Sequence, residues 1–406
     1  MASEVNTLEP SRNLLGLRQF LHSQLTEDIM PFWIHHGVDE DGGINTCLRD
    51  DGSVVSRDKW LWSQWRCVWL FARLHNTVDA GGKWLDLARR TYDFAVRYGW
   101  DEDAEGWRLG LTYDGGVLKE YETIYVDAFA IDGLVELASV VGPDESETVL
   151  ALARKTADHV LKKLELPHDQ LPHYPYPVPR GARVQGIPMM FARSLWRLQK
   201  CLDEPRYRDA ALRYTDEIFR DFYRPDRDLI LERIAADGSE YPAPLGTAVV
   251  PGHVIEDMWF QIHILRDTGD KNRIEQACRI IRRHVELGWD EEHEGLFLAV
   301  DADGENEIGW ELADRKLWWP HVEAMYALLL AREWTGEDWC LDWYDKVHAY
   351  AFSHFPVPEH GEWYRGLDRM GKPAQEYAAL PVKDPFHLPR AFLLCIDVLD
   401  RLAGEK

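Results

Sequence analysis

An internal repeat constrains this chain more than any other feature. Residues 99–106 read GWDEDAEG and residues 288–295 read GWDEEHEG, 189 residues apart, which is three intervals of 63. Self-similarity at a fixed period marks a chain assembled from stacked supersecondary units. Degraded copies of the unit recur between and around these two. Each begins with an amphipathic helix, continues through an Asp/Gly-rich stretch with hairpin chemistry, and ends in a more apolar helix. The hairpin-like pieces are 38–52, 107–116, 229–238, 296–304 and 362–371. In these, alternating apolar residues run into Asp-Gly, Gly-Gly or a neighbouring glycine turn.

Two kinds of helix follow from the apolar spacing. Segments 83–99, 146–164, 205–223, 271–289 and 338–355, with an opening helix near 11–30, repeat their apolar residues at three and four, as helices with one wet face do. Segments 59–76, 121–141, 186–202, 252–269, 317–334 and 385–402 are apolar nearly all round and belong in an interior. Six outer and six inner helices predict an all-α fold, an (α/α)6 barrel of six helical hairpins with short β-hairpin loops at one end. No linker-like stretch interrupts it, so residues 1–406 read as a single domain.

Inner helices carry proline near their starts (Pro188, Pro251, Pro320 and Pro385), where the missing N–H costs little. In such a ring the inner N-termini gather at one end. Arg66, Tyr125, Met190, His253, His321 and His387 fall there at intervals of 59, 65, 63, 68 and 66 residues. One residue per repeat converging on one mouth predicts an active site.

Composition narrows its business. The formal charge of −24, with no Lys/Arg stripe, argues against nucleic acid. Neither a phosphate-binding loop nor a dinucleotide fingerprint is present. No apolar run reaches the length of a membrane span. The opening MASEVNTLEP lacks the features of a signal peptide, and six scattered cysteines suit reduced thiols, so a cytoplasmic protein is expected. Tryptophan, at 18, outnumbers phenylalanine at 14; indoles stack on sugar C–H faces, though they also fill helical cores.

Two histidines at helix starts suit acid–base chemistry. The positive end of a helix dipole disfavours an imidazolium and keeps a neutral ring available as a base. His253 and His387 on opposite faces of a ring-opened aldose could remove and return the C2 proton, with Arg66 stabilising the enolate oxygen. Glu256, three residues after His253, could orient it. His35, His36, His263, His348 and His354 read as core or surface residues. Two other chemistries stay open: a metal held by His253-x-x-Glu256 or His321-x-Glu323, and glycoside hydrolysis by Asp127 with Glu256.

The segments WLWSQWRCVW (60–69), IPMMFARSL (187–195), PGHVIEDMWF (251–260), KLWWPHVEAMYALL (316–329), GEWYRGLDRMGK (361–372) and FHLPRAFLLC (386–395) together resemble the N-acylglucosamine 2-epimerase family. The resemblance spans nearly the whole chain. It implies an (α/α)6 barrel, often a homodimer, that epimerises or isomerises aldoses with no metal or other cofactor. By that resemblance His253 and His387 are the catalytic bases, and Arg66 and Glu256 belong to the catalytic set. Trp62, Tyr125 and Trp319 contact the sugar, and Met190, Lys316, His321 and Glu323 are expected beside it. The implied substrate is a free aldose or an N-acylhexosamine. Met189-Met190 resembles the N-acylglucosamine branch, whereas disaccharide and mannose members usually show Met-His there. The stretch 381–387 is shorter than in that branch. The rival activity is a mannose–fructose type aldose–ketose isomerisation, and the rival class is a non-catalytic sugar- or protein-binding member.

Overall fold

The computed structural model describes residues 9–304, 308–374 and 383–404. Among them, twelve helices of ten residues or more form the framework. They are α1 (Leu14–Ser23), α2 (Leu61–Thr77), α3 (Lys83–Gly99), α4 (Tyr125–Ala138), α5 (Pro143–Lys163) and α6 (Gly186–Leu202), followed by α7 (Pro205–Glu217), α8 (Pro251–Thr268), α9 (Lys271–Gly288), α10 (Trp318–Thr335), α11 (Trp339–His354) and α12 (His387–Leu402). The even-numbered helices pack side by side as an inner ring, and each of α2, α4, α6, α8 and α10 packs against the outer helix that follows it. The (α/α)6 expectation therefore holds. Among the described residues no helix is long and apolar enough to cross a membrane.

The helical hairpin runs from inner to outer helix, not outer to inner as the repeat suggests. Short turns such as Gly269 and Gly336, both at positive φ, end an inner helix and start its partner. The opening helix has no inner helix before it. It closes the ring by packing on α12, tied by Arg18 to Asp400 at 2.7 Å. Arg73 of α2 meets Asp397 of α12 at 2.6 Å, so the first and last inner helices are joined as well.

Long connections lie at the other end, where the inner helices begin. The predicted hairpins pair more widely than within themselves. Strands just ahead of inner helices pair with the next long connection: Lys59–Trp60 with Gly110–Leu111, Ala182–Val184 with Arg233–Ala235, Ala248–Val249 with Val300–Asp301, and Lys316–Leu317 with Gly366–Leu367. These antiparallel rungs form a rim that locks repeat to repeat around the mouth. A one-residue slip would turn each strand over, so the rim also sets the rotation at which each inner helix enters.

The repeated GWDE has a local physical reason. A Cβ on Gly99 would meet Leu61 Cδ1 at 2.2 Å, and one on Gly288 would meet Pro251 Cβ at 2.8 Å, so glycine lets each outer helix end against the first turn of an inner one. Two residues on, Asp101 accepts from the N–H groups of Asp103 and Ala104, both at 3.0 Å. Asp290 does the same for Glu292 and His293, at 3.0 and 3.2 Å. These Asx turns lead into Glu105 and Glu294, both at positive φ.

Candidate active site

At the rim end, α8 opens Pro251-Gly252-His253, α10 opens Trp318-Trp319 and α12 opens at His387. Proline at the first position of α8 places His253 in its first turn. The two imidazoles lie against one indole. The centroid of Trp319 is 5.2 Å from that of His253, nearly parallel, and 5.8 Å from that of His387. Each ring is held at Nδ1 by a carboxylate. Glu323 of α10 takes His387 at 2.8 Å, and both oxygens of Glu232 stand 3.3 Å from His253. A carboxylate beside Nδ1 puts the proton there and leaves Nε2 to face the opening.

The two histidines are tuned in opposite directions. Burial lowers the pKa of His387 to about 3; the positive charges of Arg390 and Arg66 reinforce this, while Glu256 and Asp384 resist it. His387 is therefore neutral at physiological pH. His253 also feels burial, but Glu232, followed by Glu256 and Asp257, outweighs it and raises its pKa above the ordinary histidine value. The side chain of His253 remains 45% open to solvent against 11% for His387. A helix start disfavours the imidazolium on both rings, but at His253 the nearby carboxylates act against it and move the pKa up.

Beneath the rings lies a buried charge cluster. Arg390, 1% exposed, donates through Nη2 to Glu323 at 2.6 Å and also to Glu256. Glu323 takes a further bond from Trp259 Nε1 at 2.9 Å. Glu256 thus pairs with Arg390 instead of orienting His253, although its charge favours the imidazolium on both histidines. Donor atoms of Glu256, Glu323 and His387 all lie within 4.8 Å of one another, a spacing that suits a cation. The Arg390 guanidinium supplies that cation, bonding both carboxylates. His321 cannot join a metal pair either, since both its nitrogens are engaged.

Arg66, on α2, donates from Nη1 to Asp384 at 3.1 Å and lies over the ring of Phe129 at 4.0 Å. Asp384 also accepts from Ser63 at 2.6 Å. Across the mouth, Trp62 stacks on Trp60 at 5.9 Å and leans on Tyr174 at 6.1 Å. Tyr125 O–H meets His173 Nε2 at 2.7 Å. Met190 is 9% exposed in the first turns of α6.

Three of the expected sugar contacts are better explained otherwise. His321 is fully buried; its Nε2 accepts from the Leu296 N–H at 2.8 Å and its Nδ1 donates to the Leu317 carbonyl at 2.7 Å. Two residues along a helix is a turn of roughly 200°, so Trp319 faces the opening while His321 faces Tyr350 of α11. Lys316, also fully buried, anchors the GWDE turn through Asp290 at 3.2 Å and the carbonyls of His293 and Glu294. Glu323, 1% exposed, serves His387 and Arg390. The hydrolase pairing fails too. Asp127 is tied to Tyr121 O–H at 2.6 Å and the Trp107 N–H at 3.1 Å, and burial raises its pKa to about 6.

Glu232, Arg390, Asp384 and His173 were not singled out in the sequence. Arg390 was findable, since it is an arginine on an apolar helix three residues after His387, the signal that marked Arg66. Glu232 lies between Leu231 and Arg233 of a rim segment, where nothing in the local pattern separates it from a solvent-facing glutamate.

The model of the family described as N-acylglucosamine 2-epimerase (GlcNAc 2-epimerase) matches residues 42–390. The N-acylglucosamine 2-epimerase of Bos taurus is 31% identical over 93% of this chain and 90% of its own. The cellobiose 2-epimerase structure from Bacillus thermoamylovorans superposes with a TM-score of 0.81 at 18% identity, covering 94% of this chain and 99% of that one. A D-mannose isomerase structure superposes at 0.79 and 18% identity, covering 93% and 97%. These structures share the ring, and the sequence match extends through the rim and both histidines. This chain belongs to the N-acylglucosamine 2-epimerase family.

Proposed function

We propose that this protein is a sugar 2-epimerase that inverts C2 of an uncharged, ring-opened N-acylhexosamine by proton transfer between His387 and His253. The observation that carries the reading is the pair of imidazoles against Trp319, each held at Nδ1 by its own carboxylate. The aldehyde of the open sugar acidifies the C2 proton. In one direction, Nε2 of neutral His387 takes that proton, and the C2–H electron pair forms the enolate C1=C2 bond. The charge that develops on O1 is stabilised by Arg66. Protonated His253 then delivers its Nε2 proton to the opposite face, and the enolate closes to the epimeric aldehyde. The reverse reaction starts from the exchanged pair, so both directions need one proton between the two rings.

Support for an N-acyl group comes from the relative of Bos taurus and from Met190. A thioether offers dispersion contact to an acyl methyl group and cannot match a histidine as a hydrogen-bonding partner for a hydroxyl. The carboxylate of Glu232 beside His253, in a chain of net charge −24, disfavours a phosphorylated sugar.

The test is NMR of the protein in D2O with N-acetylmannosamine, mannose and cellobiose separately, without metal or nucleotide. Deuterated N-acetylglucosamine from the first sugar supports the reading. Turnover of mannose or cellobiose alone would keep the chemistry and overturn the substrate. Fructose from mannose with no C2 epimer would make the protein an aldose–ketose isomerase.

A further inference from the structure

Both histidines have a carboxylate at Nδ1, yet the two carboxylates differ in every other respect. Glu323 is 1% exposed, sits on an inner helix, and shares its oxygens with Arg390 and Trp259. Glu232 stands on the rim segment between α7 and α8, in a side chain 14% exposed. Its backbone carbonyl accepts the Gln185 N–H at 3.1 Å, which fixes it between the starts of α6 and α8. Its Oε1 accepts the Val250 N–H at 3.3 Å, just before His253. Among the described residues no lysine or arginine is paired with it.

Both oxygens of Glu232 stand 3.3 Å from Nδ1, so the carboxylate faces the ring through either of them. The other charges this ring feels are Glu256 and Asp257 on its own helix; Tyr125, bonded to His173, and His284 feel the charge of Glu232, and His387 lies beyond Trp319. Glu256 is neutralised by Arg390, and Asp257 is buried and bonded to Gln185 and Gln261. Glu232 is therefore the negative charge both closest to His253 and free of a cationic partner.

Building on the epimerase reading, we propose that Glu232 is a positioning residue for the reaction. It holds His253 through Nδ1 so that Nε2 faces the sugar, and its unneutralised charge keeps the resting proton on that side of C2. The other dyad works in the opposite sense, because Arg390 offsets the charge of Glu323. One side of the sugar thus meets a neutral base, held so by burial with Arg390 and Arg66, and the other an acid beside a carboxylate that no arginine offsets.

The test compares Glu232→Gln and Glu232→Asp with the wild-type protein, using N-acetylmannosamine turnover from pH 5 to 10 and the His253 ring titration read by NMR in the free protein. Glu232→Gln should lower kcat by about 10²-fold with KM little changed. It should also move the His253 titration, and with it the alkaline limb of kcat/KM, down toward or below the ordinary value of 6.5. Glu232→Asp should restore the limb in part. A Glu232→Gln protein that melts as the wild type does but leaves the His253 titration unmoved overturns the proposal, whatever its kcat. Should the glutamine variant not fold, the same titration in the aspartate variant decides. Wild-type protein inert on every sugar would sink the epimerase reading instead, while the titration would still judge Glu232.

Discussion

Nδ1 of His387 stands 2.8 Å from Oε1 of Glu323, across two neighbouring inner helices and 64 residues of chain. The bond fixes the tautomer of a ring at the mouth from a carboxylate sunk in the barrel wall. Since burial and two arginines keep that ring neutral, its Nε2 is a standing base.

Removing either base should abolish epimerisation. His387→Asn and His253→Asn are each expected to lower C2 turnover by about 10³-fold or more, with circular dichroism and melting close to wild type. Each variant should be assayed for deuterium exchange at C2 as well as for epimer. Near-normal turnover in either one would rule out the two-base scheme.

The opposite tuning of the rings predicts the pH profile. Activity needs one shared proton, so it is lost when both rings are protonated or both neutral. His387 takes its proton only near pH 3, and His253 gives its own up above the ordinary histidine value. kcat/KM should hold across weakly acidic and neutral pH and fall on the alkaline side. Stability follows from the same shift. The folded protein binds a proton at His387 less readily than the unfolded chain does, so falling pH between 6.5 and about 3 favours unfolding at this site. Urea titrations at pH 7 and 5 should show a smaller pH effect in His387→Asn than in wild type.

Among the described residues Arg390 is the one arginine or lysine paired with the buried carboxylates of Glu256 and Glu323. Arg390→Leu should cost about 3–5 kcal/mol, because it strands Glu256 and Glu323 away from water. Chemical denaturation measures this, and a cost below about 1 kcal/mol would show that the cluster relaxes or takes up protons freely. The double change Arg390→Leu with Glu256→Gln should recover part of the loss.

A guanidinium bonded to both carboxylates of the cluster predicts indifference to chelators. Dialysis against EDTA should leave turnover and melting temperature unchanged, and added Zn²⁺ or Mn²⁺ should not raise either. Activity lost to EDTA and regained with one metal would mean that Arg390 leaves the cluster in the working enzyme.

Much of this was legible in the order of residues. The twin GWDE copies marked a period; the aspartate capping its turn acts locally, whereas each glycine answers to a distant residue, Leu61 or Pro251, on the inner helix it meets. Helix class could be read because burial on one face or on all faces leaves its mark on every third and fourth residue. The positions of Arg66, His253 and His387 at the mouth came from the same register. That register failed at His321, where the rotation of α10 brings Trp319 to the opening. Rotation is set by the rim strands Lys316–Leu317 and Gly366–Leu367, a pairing between segments 50 residues apart.

What chain order dictated is thus the ring, its hairpin count and the end at which chemistry gathers, since local periodicity and spacing carry these. Proton ownership was decided by the folded ring. Whether a histidine at a helix start holds its proton depends on how deeply the ring is buried, which carboxylate reaches its Nδ1 and whether an arginine reaches that carboxylate first. Those are sums of charge over a few ångströms in a poorly screened interior, between residues that are tens to more than a hundred positions apart. Glu232 and Arg390 therefore acquire their meaning only when the six hairpins close.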